Sequence, residues 1–445
     1  MDQNKLPGAE TAAGGTTAPV LPEKPRFSAS GREIIAAVLC YGLAWIWFDI
    51  FGMFNYFFDW HTRLWLAVFI VGYVILAELL HRGVKRPLES WIWLGCVAVL
   101  TAALLLKRGR ALGVAGYERG PRLYFLLHVF AVWWLLSRSG RLCEGVSGHL
   151  LPYDALNAFI VFPFKHFFLR IRCLWSGLTR LFARRARPKT ETVLWSAAAV
   201  LAALLLFARA MSLLMNADES FDALLSDLAD KLSFDADFDT PRLFFSLPVG
   251  AYLFGLLAGT AREDTERLRE RGAAIRNGLQ TLRKVPEKVY LAVLGLFTLL
   301  YLAFFLLQGS YLFGAFTRTL PDGFVVAEYA RQGFFELCRV MAVNFALLWL
   351  VARTARQPLR LSRSLLIASV ALLAESLLFA VIAGSKLWLY IDCFGFTPKR
   401  LQSAWLIAVL SVGCLCAGYS ILTGRKSFRG WMVFGAVSLS LLCLY

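Results

Sequence analysis

Apolar residues in this chain run in long, nearly unbroken stretches, with the polar residues gathered into short segments between them. A helix that is apolar on every side must be surrounded by apolar matter, either a large core or lipid. Stretches of about 20 residues match the hydrocarbon thickness of a bilayer. Eleven such stretches are predicted as membrane-spanning helices: 33–55, 64–80, 90–106, 122–137, 192–214, 242–260, 289–314, 332–351, 364–384, 402–422 and 430–445. The fourth is short and carries His128, which is expected to be a hydrogen-bonded packing residue. The fold class is therefore an all-α polytopic membrane protein with about 11 transmembrane helices.

The connecting segments differ sharply in charge. Placing the N-terminus inside assigns 1–32, 81–87, 138–190, 262–288, 353–363 and 425–429 to the cytoplasm, and these hold 32 of the 47 Lys and Arg residues. The opposite side holds 13. Because Lys and Arg are retained on the cytoplasmic side, the bias predicts a cytoplasmic N-terminus and an extracytoplasmic C-terminus. The loop 107–122, KRGRALGVAGYERGPR, runs against the trend with five positive residues. Four regions follow: a disordered cytoplasmic tail (1–32), an N-terminal four-helix membrane part (33–137), a basic cytoplasmic interfacial region (138–190) and a C-terminal seven-helix membrane part (191–445).

Composition supports this division. With 58% apolar and only 17% charged residues, a soluble domain of 445 residues would lack polar surface. The formal net charge of +17 belongs to the loops and their topology, and no nucleic-acid-binding pattern accompanies it. The tail is rich in Pro, Gly, Ala and Thr and has no apolar core of a cleavable signal peptide. Nine cysteines are spread singly and mostly within apolar runs, which argues against a disulfide framework. The five histidines form no pair at metal-ligand spacing. Asp235, Asp237 and Asp239 alternate as in a calcium loop, but Thr240 and Ser246 stand where Gly and Glu are needed. No metal and no cofactor is expected.

Two segments outside the spans are amphipathic. In FKHFFLRIRCLWSGLTRLFARR, Phe164, Phe167, Phe168, Ile171, Leu174, Trp175 and Leu178 recur at helical spacing, with Lys165, Arg172, Arg180 and Arg184 mostly opposite. That pattern predicts a basic helix on the cytoplasmic leaflet, partnered by anionic lipid. The acidic segment 216–240 repeats Phe221, Leu224, Leu225, Leu228 and Leu232, predicting an outer helix docked on the protein itself. The mixed-charge segment 262–288 predicts solvated cytoplasmic helices broken at Gly272 or Gly278.

Candidate chemistry concentrates in AEYARQGFFELCRVMAVNFALLWL, residues 327–350. Glu328, Gln332, Glu336 and Asn344 fall broadly on one side of a helix, and Arg339 stands three residues after Glu336, within reach of an ion pair. Asp49, Glu78, Arg209 and Glu375 are further ionisable residues in or near spans. Such residues face a bundle interior or a wet cavity.

The stretch YLFGAF…LPDGFVVAEYARQGFFELCRVMAVN (311–344) resembles the signature of a bacterial multi-pass membrane family known as a domain of unknown function. Leu320, Pro321, Gly323, Glu328, Tyr329, Arg331, Gly333, Phe334 and Glu336 carry the likeness. LLMNADESF (213–221) and LYIDCFGFTPKRL (389–401) are also similar to family elements, with Pro398 departing from the pattern. The resemblance covers roughly 190–445 and implies an integral protein of the bacterial cytoplasmic membrane, without naming an activity. On the expected topology these elements meet at the outer side, giving a candidate polar cluster of Tyr311, Glu328, Tyr329, Arg331, Glu336, Arg339, Asn344, Tyr390, Asp392 and Arg400.

Two functional classes fit. One is a transporter or a permease handling lipid or envelope polymer, for which buried ionisable residues would line a route. The other is a membrane sensor or scaffold for envelope signalling that works through a partner protein. A membrane enzyme finds no nucleophile, acid–base pair or metal set, so no catalytic residue is assigned.

Overall fold

The computed structural model describes residues 27–52, 60–106, 119–184, 236–307 and 326–444, together with 309 and 316. The helices are α1 (Gly31–Gly52), α2 (Trp60–Leu80), α3 (Leu88–Leu106) and α4 (Arg119–Ser139). A bent segment follows, with α5 (Leu151–Leu156), a π-helical turn (Asn157–Val161) and α6 (Phe162–Lys165), and then α7 (Leu169–Arg184). The remainder are α8 (Ala236–Arg262), α9 (Thr265–Gln280), α10 (Glu287–Leu307), α11 (Val326–Thr354), α12 (Arg363–Phe394), α13 (Pro398–Thr423) and α14 (Phe428–Leu442).

Eight of these helices are long and apolar enough to cross a membrane, and two shorter apolar helices, Leu123–Ser139 and Phe428–Leu442, accompany them. The protein is an all-helical, multi-pass membrane protein. The predicted span 192–214, the loop 107–118 and the acidic segment 216–235 lie outside the described residues.

Local sequence sets the helix ends. Ser30 and Glu33 form a reciprocal box at the start of α1: Ser30 N donates to Glu33 Oε2 at 2.8 Å, and Glu33 N donates to Ser30 Oγ at 3.2 Å. Ser362 accepts from Leu365 N at 3.2 Å to start α12. Thr397 caps α13, and Pro398 occupies its first turn, where a missing N–H costs nothing. Gly424 ends α13 in a left-handed conformation, φ 73°.

Two apolar cores result. The first joins α1–α4, α7 and α8, and the second joins α10–α13. Helix α8, which the sequence division grouped with the C-terminal part, packs most extensively on α1. Helix α14 spans the division by lying against both α13 and α3.

The helix ends Gly31, Leu80, Leu88, Ser139, Arg262, Glu287, Thr354, Arg363, Thr423 and Phe428 gather at one side, tied by ion pairs and hydrogen bonds between them. This side is the charged end of the bundle. Segment 151–168 crosses α8 there at Gly255 and Gly259. A Cβ on Gly255 would strike the Pro163 carbonyl, and one on Gly259 would come within 2.7 Å of the His166 ring. Small residues at four-residue spacing let the two backbones approach.

Candidate functional site

Helices α10, α11 and α12 share a polar ladder through an otherwise apolar bundle. At the charged end, Val285 and Ala355 form an isolated β-bridge, Tyr290 bonds Thr354, and the Ser362 hydroxyl donates to Glu287. These contacts fix α10 antiparallel to α11 and parallel to α12. The register then brings the next polar residues together deeper in the bundle.

The middle rung is the best satisfied. Tyr301 donates to Asn344 Oδ1 at 2.7 Å, Asn344 Nδ2 donates to Ser376 Oγ at 2.8 Å, and Ser376 donates to Leu372 O at 2.8 Å. All three side chains are buried. Glu375 stands next to Ser376, buried, with Thr298 within hydrogen-bonding reach of its carboxyl. Its Oε2 has no hydrogen-bonding neighbour among the described residues.

The third rung lies nearer the opposite end, two to three turns along the same α11–α12 interface. Lys386 is completely buried there, and Glu336 is the charge set against it. Arg339, the cation expected beside Glu336, lies exposed, as does Glu336 itself.

The other predicted residues divide by position. Arg400 stacks 4.1 Å over the Tyr390 ring at the far end and donates to Gly395 O. Asp392 is exposed on the same helix. The side chains of Tyr311, Glu328, Tyr329 and Arg331 lie outside the described residues, as do Arg209 and the Asp49 side chain. Asn344 belongs to the middle rung rather than to the Tyr390–Arg400 contact. Tyr301, Thr298, Ser376 and Lys386 escaped the sequence reading.

A second polar layer closes the charged end. Arg138, 4% exposed, donates to Glu78 Oε1 at 3.0 Å and to Glu78 Oε2 at 3.0 Å, and also to the carbonyls of His81 and Val84. His81 places Nδ1 2.8 Å from Ala77 O, which can only accept, so Nδ1 carries the proton. Burial, reinforced by the charges of Arg138 and Arg141, holds His81 below the ordinary histidine value. Arg141 Nε donates to Thr260 O at 2.7 Å, satisfying a terminal carbonyl of α8. Glu263 accepts from Lys165 Nζ at 2.7 Å and lies 3.4 Å from His166 Nε2. Burial pushes the Glu263 carboxyl up, but Lys165 and His166 together bring it below the usual range.

The same layer joins the two cores. Glu89, almost fully buried, accepts from Trp93 Nε1 at 3.0 Å and Ser147 N at 3.2 Å, and pairs with Arg429 at 3.1 Å. Glu144 pairs with Lys426 at 3.0 Å. His128, within α4, donates from Nδ1 to Tyr124 O at 2.9 Å and accepts the Trp47 indole N–H at 3.2 Å, a packing role. All nine cysteines are free, and among the described residues no group of His, Cys, Asp or Glu could hold a metal ion.

Helices of this length and apolarity define a polytopic membrane protein with a polar ladder in its C-terminal bundle. The chain belongs to the family described as domain of unknown function (DUF4153), whose family model matches residues 50–445. That match extends well upstream of the stretches that carry the sequence resemblance. No curated protein and no solved structure matches the chain.

Proposed function

We propose that this protein is a permease of the bacterial cytoplasmic membrane, with its charged end in the cytoplasm and its polar route between α10, α11 and α12. The single observation that carries the reading is the buried Glu375 carboxyl, with Oε2 unengaged, beside the Tyr301–Asn344–Ser376 chain. A structural hydrogen-bond chain needs no ionisable group at its side, whereas an exchanging proton or small cation does. Glu336 and Lys386 then form an ionic station on the outward half of the route. The excess of Lys and Arg at the charged end supports a cytoplasmic N-terminus and an extracytoplasmic C-terminus.

The test is ion movement in proteoliposomes loaded with a pH-sensitive dye under an imposed proton gradient. Wild-type protein should dissipate the gradient, and Glu375→Gln should slow dissipation at least tenfold. Wild-type vesicles that behave like empty ones, or a Glu375→Gln variant as fast as wild type, would sink the reading.

A scaffold working through a partner protein has its own supporting observation. Glu78–Arg138, Glu33–Arg262 and Glu263–Lys165 tie the charged end shut, and α9 extends from it with most of its charges exposed. Under that reading, reversing Arg267, Arg269 and Arg271 would abolish cellular function while Glu375→Gln preserved it.

A further inference from the structure

The segment that crosses α8 and continues into α7 carries an apolar stripe on its outer side. Ile160, Phe164, Phe168, Ile171, Trp175 and Leu178 are between 47% and 70% exposed and follow one another at three- and four-residue steps. The opposite side is docked: Leu169 and Cys173 are buried in the first core, and Arg170 Nε donates to Ala37 O at 2.9 Å. The segment is thus fixed in orientation with its aromatic side facing away from the protein.

Its level relative to the spans is set by two contacts. The Arg170 guanidinium reaches the carbonyls of Ala37 and Leu247, inside α1 and α8. Further along, Ala29 N donates to Ser176 Oγ at 3.4 Å, just before α1 begins. The Trp175 and Leu178 end of the stripe therefore lies level with the start of α1, where Ile35, Val38 and Leu39 are also exposed, while the Arg170 end reaches deeper along α1 and α8.

Charge adds to the apolar pattern. Of the four cations expected to face lipid, Lys165 is engaged by Glu263, and the Arg184 side chain lies outside the described residues. Arg172 and Arg180 are exposed beside the stripe; Arg180 donates to Ser28 Oγ at 2.6 Å, a neutral acceptor that leaves its charge uncompensated. An apolar face that carries Trp175, with exposed arginines on the same helix, matches the boundary between acyl chains and anionic headgroups.

We infer that residues 156–180 form an interfacial elbow seated in an anionic leaflet, with Arg172 and Arg180 binding the phosphodiesters of acidic phospholipids. Each arginine near an anionic surface is worth about fivefold, so two favour acidic lipid by at least that factor. The inference is independent of the permease reading, because no residue of the polar ladder takes part.

The experiment uses the full chain in nanodiscs containing equal phosphatidylglycerol and phosphatidylcholine, with a photoreactive phenylalanine replacing Trp175. Cross-links should form to lipid, with phosphatidylglycerol adducts about fivefold more abundant. Arg172→Gln with Arg180→Gln should keep the lipid adducts and equalise the two lipids, while the same probe at the lipid-facing Leu302 shows no preference in either background. Adducts to a second copy or to another protein, equal adducts in the parent, or a preference surviving the double substitution would each overturn the proposal.

Discussion

Tyr301 of α10 donates its hydroxyl to Asn344 Oδ1 of α11 at 2.7 Å, with both groups shielded from solvent. Interhelical hydrogen bonds between membrane helices contribute about 0.6 kcal/mol on average and up to about 1.7. Asn344 also donates to Ser376, so its removal orphans two partners, and removal of the tyrosine hydroxyl orphans one. Asn344→Ala should therefore lower the melting temperature in detergent more than Tyr301→Phe. The double variant should lose less than the sum of the two. Additive losses would mean that the two groups are energetically independent.

Arg138 is the most deeply placed cation of the charged end, and it also donates to two carbonyls. Breaking a buried ion pair from one side costs about 3–5 kcal/mol. Arg138→Ala should approach that range, because Glu78 and both carbonyls lose a donor. Arg138→Lys should recover less than half, since an ammonium cannot reproduce the forked contact with Glu78. Glu78→Gln should be milder, because Glu78 is partly exposed and Arg86 pairs with it as well. Urea or thermal unfolding of the three variants ranks them.

Acid sensitivity follows from the histidines of the charged end. His81, His149 and His166 are all held below the ordinary value of 6.5, in each case first by burial. The unfolded chain therefore binds more protons than the folded one as pH falls below about 6.5. Stability is complete above that pH and declines as pH drops through the lowered folded values. Glu263 and Glu144, held below 4.5 despite their burial, extend the decline at lower pH. Melting temperature measured from pH 8 to pH 5 should fall, and His81→Gln with His166→Gln should flatten the upper part of the curve.

The spans were legible because hydropathy over about 20 residues reports mean environment and needs no knowledge of partners. Asn344, Glu336 and Glu375 were legible for a related reason: each is a costly side chain in an apolar run. Tyr301, Thr298 and Ser376 were not, since hydroxyl residues are common in such runs and only helix register assigns their partners. Lys386 was hidden by a boundary. The apolar run ends near 384, whereas α12 continues to Phe394 and carries the lysine into the bundle. The polar contacts of the layer around 138–168 were not legible because its side chains bond across long sequence separations, as Arg141 does with Thr260.

Gly255 and Gly259 left one sequence signal unused, the run GLLAG within α8. A side chain on either glycine would push into the backbone or ring of residues 162–166. Overpacking of this kind costs about 1–3 kcal/mol. Gly255→Val should displace the crossing segment and expose a cysteine placed at position 163 to membrane-impermeant maleimide, whereas Gly278→Val, in open space on α9, should not. Equal labelling in both variants would show that the crossing does not depend on the close approach.

Glu89 offers the sharpest test of how the two cores are held together. It is 1% exposed, and its two neutral donors, Trp93 and Ser147, leave its charge to Arg429 in the first turn of α14. Arg429→Gln strands that charge in a buried position, which should cost about 1–3 kcal/mol. Adding Glu89→Gln removes the stranded charge while keeping a carbonyl acceptor for the two donors, so the double variant should be more stable than Arg429→Gln alone. A double variant that melts below both single variants would instead mean that Glu89 serves its local donors as a carboxylate and that the clasp to α14 is incidental.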